Sequence, residues 1–530
     1  NKGSKNMMNR AINHLVLAIV DSFKKFKNKL AYYLAIFAMV FGSTFGTFNA
    51  ANAGDVAITS TGAITSDNIT TLLDAADGEL EIQGTSGVIA TLGLSIGVHA
   101  DGGTNIVLGD IASGTEASTL KVVAAAAALT VDPLIKTLNA QIVGSILVQD
   151  STAGAEGDLV TFNGIIGGGA ANIIDTIQIG DADEVSGNAK FTADVKATAI
   201  AVEGGDASEN STADFASTVT GAITMDDVAS KGNATVIFSG TTRTIAATVT
   251  GQAAGDGTVQ VTGTGLTLNG AIGATGIGTL DIDATAAMTA VADAEVVNIA
   301  TGQTFTIDDA FTGDATTLAG TGGITFSTDA DGAATTAIVA VINGAADGDG
   351  TLTYTNTGQS TQTGAVGTTN GIGTIAVGAS GLIDMVGVVD TQSLTVLAGG
   401  VISFDDDATH DAAVLTTTGK IMYEEDGDGA AVATSTGTID GVASENGVIQ
   451  TNNGSTVTFA DNIGSTQSLL TMTLTTQATF NGDVRSKAIT TAQSQVNDFN
   501  GDLTVGATKF IITGAAGEAM FSGAGDQTVT

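Results

Sequence analysis

Short clusters of aspartate lie on glycine-rich segments in the second half of the chain. Calcium takes about six to eight oxygen ligands and often binds at such flexible acidic turns. None of the clusters matches the EF-hand loop or the glycine-rich calcium-binding nonapeptide. We nevertheless predict calcium-binding positions at Asp329, Asp331, Asp347, Asp349, Asp405, Asp406, Asp407, Asp426 and Asp428. The alternative is that these acidic corners are solvated and keep the protein soluble.

Histidine and cysteine offer little other chemistry. The chain contains no cysteine, and after residue 53 it contains two histidines, His99 and His410. These counts exclude a cysteine nucleophile and disfavour a zinc site built from histidine and cysteine. His410 follows the acidic segment 405–407, but no Gly-x-Ser-x-Gly motif lies beside it. We therefore interpret it as a loop histidine rather than as part of a catalytic triad.

Paired carboxylates could also serve a polysaccharide-active enzyme, because glycosidases use two acids. A sugar site is expected to include aromatic and basic groups as well. Aromatic residues make up 4% of this chain, and its basic residues after residue 53 are few and dispersed. We predict that the chain is not an enzyme, and a polysaccharide-active β-helix is the less favoured alternative.

The charge is distributed unevenly along the chain. The formal net charge is −38, yet residues 1–53 hold seven of the 17 basic residues and one of the 55 acidic residues. Residues 54–530 therefore hold 10 basic and 54 acidic side chains, a net charge of −44. Such a surface repels nucleic acid phosphates and attracts divalent cations. We predict no nucleic acid partner.

Residues 1–53 have the layout of a secretory signal peptide with an N-terminal extension. A basic segment at 24–29 precedes an apolar segment at 30–41, and Ala51-Asn52-Ala53 follows as a small-residue cleavage site. The apolar segment is too short to span a bilayer comfortably. The segment predicts export, with the remaining chain starting at Gly54.

The rest of the chain is a series of short runs rich in Val, Ile and Thr, separated by Gly, Asn and Asp. The apolar residues alternate with polar ones, which predicts short strands. A repeated phrase starts at Phe459, Phe480, Phe499 and Phe521, with spacings of 21, 19 and 22 residues. Repeats of this length are typical of solenoids. We therefore expect Phe480 and Phe499 to be buried one coil apart, with Asn-Gly at the corners because both residues tolerate positive φ.

The sequence thus predicts an all-β fold, a repetitive parallel β-helix or β-solenoid. Antiparallel β-sandwich modules in series are the alternative, because short alternating strands with glycine turns suit both architectures. We expect an N-terminal β region at 54–150 with a possible cap, and a strand-repeat region at 151–530 that continues beyond the C-terminus. Residues 121–140 form either a helical cap or insertion, or two strands.

The phrases Ala-Thr-Phe-Asn-Gly-Asp-Val at 478–484 and Thr-Leu-Asn-Gly-Ala-Ile-Gly at 267–273 resemble those of bacterial β-strand-repeat surface proteins. The nearest type is the autotransporter passenger of rickettsial outer-membrane protein B. The resemblance extends over most of the chain after residue 53, although its motif is short and degenerate. It implies a surface coat or an adhesin, with no catalytic residues to carry over.

These observations together predict an exported structural protein of the cell surface, such as a surface coat, a surface layer or an autotransporter passenger. The alternative is an adhesin that binds host or environmental ligands. The expected partners are further copies of the chain or other cell-surface components. We expect association with the outer membrane through a separate anchor or through assembly, rather than through a membrane span of its own.

Overall fold

The computed structural model consists of strands and turns, with no helix among the residues it describes. Those residues are 48–49, 56–58, 61–64, 79–82, 88–96, 105–109, 118–124, 128–137, 144–150, 158–168, 172–181, 185–205, 209–227, 232–327, 337–424, 433–452, 456–492, 495–513, 517–523 and 528–530. Apart from residues 48–49, the predicted signal peptide lies outside them. The described part of the chain offers no helix that could cross a membrane.

The chain divides into two units, residues 1–235 and 236–530. The described strands of the first unit are short and rich in Val, Ile, Leu and Thr, as expected for pleated strands with one buried face. They are β1 (Phe48–Asn49), β2 (Val56–Ile58), β3 (Gly62–Ile64), β4 (Glu79–Ile82), β5 (Ile89–Leu92), β6 (Asn105–Leu108), β7 (Ser118–Ala124), β8 (Leu129–Val131), β9 (Leu134–Thr137), β10 (Gly144–Asp150), β11 (Leu159–Phe162), β12 (Ile174–Ile179), β13 (Asn188–Phe191), β14 (Val195–Glu203), β15 (Ser211–Phe215), β16 (Val219–Asp226) and β17 (Ala234–Phe238), which crosses the unit boundary.

The strands of the first unit stack in three parallel ladders. Their orders are β2–β4–β6–β9, β3–β5–β7–β10–β12–β14–β16 and β8–β11–β13–β15. β1 pairs with β2 in the antiparallel direction. Successive members of a ladder are one coil apart in sequence, which is the arrangement of a parallel β-solenoid.

The second unit has the same construction. Its strands are β18 (Thr244–Ile245), β19 (Thr248–Gly251), β20 (Asp256–Val261), β21 (Leu266–Leu268), β22 (Ile272–Ile282), β23 (Ala286–Met288), β24 (Ala292–Ile299), β25 (Thr304–Ile307), β26 (Phe311–Leu318), β27 (Gly323–Phe326), β28 (Ala337–Gly344), β29 (Asp349–Tyr354), β30 (Gln359–Gln362), β31 (Ile372–Val377), β32 (Leu382–Met385), β33 (Val389–Val396), β34 (Val401–Phe404), β35 (Ala408–Leu415), β36 (Lys420–Tyr423), β37 (Ala433–Gly441), β38 (Val448–Thr451), β39 (Val457–Phe459), β40 (Thr471–Leu474), β41 (Ala478–Phe480), β42 (Val484–Thr491), β43 (Val496–Phe499), β44 (Leu503–Ile512) and β45 (Glu518–Phe521).

Two long parallel ladders organise this unit. One runs β18–β21–β23–β25–β27–β29–β31–β33–β35–β37–β39–β41–β43–β45. The other runs from β22 through the even-numbered strands to β44. The predicted parallel β-solenoid is therefore confirmed in both units, and the alternative of antiparallel sandwich modules is wrong. Neighbouring strands are parallel because consecutive coils wind in the same direction and equivalent strands pair with one another.

Aromatic rings stack in columns inside the solenoid. Phe459, Phe480 and Phe499 pair in register, with successive ring centroids 4.9 and 4.8 Å apart. Phe480 and Phe499 are buried one coil apart, as the repeat predicted. In the first unit, the rings that end β11, β13 and β15 form a similar stack. Ring stacking adds to the burial of apolar area that holds neighbouring coils together.

The Asn-Gly corners are present, but the reason predicted for them is wrong. Gly482 and Gly501 follow the stacked phenylalanines and do not have positive φ angles. A Cβ on Gly482 would lie 2.5 Å from the carbonyl carbon of Asp461 in the preceding coil, and one on Gly501 would lie 2.5 Å from that of Gly482. Glycine is required there because consecutive coils approach closely, not because the backbone is left-handed.

Two further interpretations are resolved by the strands. The described residues of segment 121–140, 121–124 and 128–137, include the end of β7 together with β8 and β9 and contain no helix. His410 lies in β35, is 2% exposed and pairs with Thr391 of β33. The interpretation as a loop histidine is therefore wrong, because strand alternation turns this side chain toward the interior.

Candidate metal centre

Three carboxylates from consecutive coils meet on the outer face of the second unit. Asp384 is the third residue of β32, Asp405 follows the end of β34, and Glu424 follows the end of β36. One carboxylate oxygen from each residue lies within 4.8 Å of those of the other two. All three residues are partly exposed.

The parallel ladder fixes the positions of these three residues. Phe404 and Tyr423 are paired in register, so the residues that follow them, Asp405 and Glu424, leave the sheet at the same level. The backbone N–H of Glu424 donates to the carbonyl of Phe404 over 3.0 Å. Asp384 pairs with Ser403, which lies two residues before Asp405. It therefore approaches the other two carboxylates diagonally.

Asp384 has a carboxyl group with a perturbed pKa. Partial burial raises the pKa of its carboxyl, and the negative charge of Glu424 raises it further. Ser403 donates a hydrogen bond to Asp384 Oδ1 over 3.0 Å and offsets part of this rise in pKa. A cation placed between the carboxylates would favour their charged forms.

A chain of side-chain hydrogen bonds orients Glu424. Asn452 Nδ2 donates to Glu424 Oε1 over 2.8 Å, and Gln450 Nε2 donates to Asn452 Oδ1 over 2.7 Å. Lys420 Nζ in turn donates to Gln450 Oε1 over 3.3 Å. Lys420 is therefore connected to Glu424 only through the side-chain amides of Gln450 and Asn452. Within the described residues, no ion pair forms at Asp384 or Glu424. Their negative charge is left for another cation.

A groove of about 230 Å³ lies beside the carboxylates. Its apolar lining comes from residues that point outward from three neighbouring strands, among them Leu382, Val401 and Met422. Glu424 belongs both to the groove and to the three carboxylates, and Ser403, which also lines the groove, donates its hydrogen bond to Asp384. The centre thus combines an apolar surface with three converging carboxylates.

Comparison with protein-family models, curated proteins and solved structures finds no match to this chain. Its function must therefore be argued from its own residues.

Two ligand oxygens on opposite sides of a calcium ion lie about 4.8 Å apart, because each is about 2.4 Å from the metal. The oxygens of Asp384, Asp405 and Glu424 fit within that limit. As hard oxygen donors they suit calcium or magnesium rather than zinc.

Of the predicted calcium ligands that the structure describes, Asp405 belongs to this centre, whereas Asp347, Asp349, Asp406 and Asp407 do not. The carboxylates of Asp347 and Asp349 accept hydrogen bonds from the backbone N–H groups of Gly371 and Ala346, each over 3.1 Å. These two aspartates hold turns in place, and their role as metal ligands stays a prediction.

The other predicted ligands divide into two groups. Asp406 accepts the backbone N–H of Asp407 over 2.7 Å, and Asp407 accepts that of Thr434 over 2.7 Å. Asp406 therefore makes a local turn contact, whereas Asp407 contacts the next coil at β37. The remaining positions lie outside the described residues: Asp329, Asp331, Asp426 and Asp428.

Asp384 and Glu424 belong to the candidate centre but are not among the predicted calcium ligands, because the prediction rests on clusters of adjacent aspartates. The signal that could have found them is the repeat itself. Asp384, Asp405 and Glu424 are spaced by 21 and 19 residues, the same spacings that separate the stacked rings of Phe459, Phe480 and Phe499. In a solenoid, ligands converge across coils, so acids one repeat apart matter more than acids adjacent in sequence.

Proposed function

We propose that this chain is an exported structural protein of the cell surface, where its solenoid units form part of a coat or surface layer. The observation that carries the proposal is the continuous parallel ladder of the second unit, which runs from β18 to β45. Successive coils of the second unit pair strand by strand, so this unit presents a repetitive surface. The signal-like segment at 1–53 supports export.

The experiment that tests export follows the protein in cells. Full-length protein is expressed in a Gram-negative host, and intact cells are treated with protease or labelled with an antibody. We expect surface labelling and an N-terminus at Gly54. A variant that lacks residues 30–41 should remain inside the cell. Equal retention of both proteins in the cytoplasm would overturn the proposal.

We further propose that Asp384, Asp405 and Glu424 bind a divalent cation, with calcium as the best candidate. A bound ion would offset the burial and the repulsion by Glu424 that raise the pKa of Asp384. It would also stabilise the fold by mass action, because an unfolded chain cannot bring the three coils together. Where copies pack side by side, such ions could also bridge their acidic surfaces.

Calorimetry with calcium tests this second proposal, with sodium chloride of equal ionic strength as the reference. We expect saturable binding and a higher melting temperature with calcium alone. Asp384→Asn should melt higher than wild type without calcium, because it removes one repelling charge, but should gain less from calcium. Asp309→Asn, outside the centre, should respond like wild type. Equal effects of the two salts on wild type would contradict calcium binding.

A further inference from the structure

The strands β25, β27, β29, β31 and β33 present an ordered array of hydroxyl groups on the outer face of the second unit. Inward and outward residues alternate along the paired four-residue segments of these strands, so that Thr304 and Thr306 face outward on β25, although Gly323 at the start of β27 is buried. The ladder pairs these residues with the outward positions of the next four strands without a register shift. The ten positions of this hydroxyl array are Thr304, Thr306, Gly323, Thr325, Thr351, Thr353, Thr374, Ala376, Ser393 and Thr395.

The hydroxyl array differs from the rest of this acidic protein. None of its ten positions is charged or aromatic, although the chain carries a net charge of −38. Its eight hydroxyl groups form no hydrogen bonds with described residues. Threonines at the coil corners behave differently, since the hydroxyls of Thr355, Thr416 and Thr513 each donate to a carbonyl of the preceding coil. The array hydroxyls are therefore available to an external ligand.

The spacing of the array is regular in two directions. Neighbouring strands lie about 4.8 Å apart and alternate residues of one strand about 6.6 Å apart, so the hydroxyls form a nearly rectangular grid. Threonine is β-branched and has restricted χ1 rotation, so neighbouring hydroxyls tend to share one orientation. A ligand that repeats with similar spacings could contact many hydroxyls at once, with little loss of side-chain freedom.

We propose that this hydroxyl array binds ice. The two spacings are close to the repeats of oxygen atoms on the prism faces of hexagonal ice, so each threonine hydroxyl can replace or hold a lattice water. The methyl groups between the hydroxyls limit competing hydrogen bonds to liquid water. An uncharged patch suits this ligand, because charged groups order water in their own hydration shells. A crystalline polysaccharide fits less well, since the array has no aromatic ring to stack on sugars.

This proposal does not depend on the protein's location and is tested with the full chain. Purified protein is frozen slowly onto a cold surface, the fraction captured in ice is measured, and the inhibition of ice recrystallisation is scored. Thr353→Tyr places a bulky ring at the centre of the array. Thr473→Tyr is the matched control, because Thr473 points outward from β40 on the other long ladder. Both variants should retain the wild-type melting temperature.

We expect wild type and Thr473→Tyr to enter the ice and to inhibit recrystallisation, and Thr353→Tyr to lose most of both effects. Thr325→Tyr, one strand away in the array, should repeat that loss if Thr353→Tyr folds poorly. Exclusion of wild type from ice to the same extent as serum albumin would overturn the proposal. So would a dimer, detected by sedimentation, that Thr353→Tyr dissociates without any ice capture, since the array would then pair with a second copy.

Discussion

The rings of Phe480 and Phe499 stack with their centroids 4.8 Å apart and their planes 9° apart. Their backbone positions are paired in register one coil apart, and both side chains are buried. Phe480→Ala should destabilise the second unit by about 3–5 kcal/mol, because it leaves a cavity in the column. Urea unfolding measures the loss. Thr479→Ala, at an outward position of the same strand, should change stability by less than about 1 kcal/mol.

Gly482 and Gly93 form a matched pair for testing close approach between coils. Gly482→Ala should cost about 1–3 kcal/mol, because its Cβ would meet the backbone of Asp461 and Asn462 at 2.5 and 2.6 Å. Gly93 has no heavy atom within 4 Å of the equivalent position, so Gly93→Ala should be neutral or slightly stabilising. Thermal melts of the two variants check this. A similar loss in both would show that alanine is disfavoured by the backbone angles instead.

His410 should make the second unit sensitive to acid. Burial lowers the pKa of His410 to about 4 from an unfolded value of 6.5, although the nearby charges of Asp461 and Asp411 act in the opposite direction. The unfolded chain therefore binds a proton before the folded chain does. Stability should fall by about 3 kcal/mol as the pH drops from 6.5 to 4, and should stay constant above 6.5 with respect to this group.

The control for this pH dependence is His410→Leu, which removes the buried base. Three aspartates oppose the destabilising effect of His410 in acid, because burial raises the pKa of each carboxyl and the folded chain therefore binds these protons before the unfolded chain does. They are Asp293, Asp384 and Asp390. The variant should therefore lose less stability than wild type between pH 6.5 and 4 in urea titrations. Parallel curves for the two proteins would assign the acid sensitivity to other groups.

Two buried tyrosines should respond in opposite ways to the loss of a hydroxyl. Tyr423 donates a hydrogen bond to Ser435 Oγ over 2.8 Å, so Tyr423→Phe should cost about 1–3 kcal/mol by leaving Ser435 unsatisfied. The hydroxyl of Tyr354 has no partner among the described residues. Tyr354→Phe should therefore be neutral or stabilising by about 1 kcal/mol. Equal losses in chemical denaturation would indicate that Tyr354 is hydrogen-bonded after all.

Much of the fold follows from short-range patterns. Alternation predicts the strands, and the recurring Phe-Asn-Gly phrase predicts which residues stack, as Phe480 and Phe499 confirm. The corners were harder to explain, because the reason for glycine at position 482 lies in the coil before it. His410 was misplaced for a related reason, since its acidic neighbours in sequence suggested a loop although its strand partner is Thr391.

The candidate metal centre was less accessible from the sequence. Asp405 was identified because it stands among other aspartates, whereas Asp384 is an isolated acid between apolar residues. The contact between them depends on the strand register and on a diagonal offset of two positions, because Asp384 pairs with Ser403. Neither is encoded locally, because register in a parallel ladder is set by the packing of inward residues across coils.

The ladder register also has a consequence for how a gene of this kind can change length. Residues paired across the column differ by one repeat, as Phe480 and Phe499 do. Recombination between two repeats in the DNA, if it joins such equivalent codons, would add or remove one whole coil in frame. The inward residues on either side of the junction would still meet similar neighbours. Length variation among natural copies is therefore expected to occur in steps of one coil.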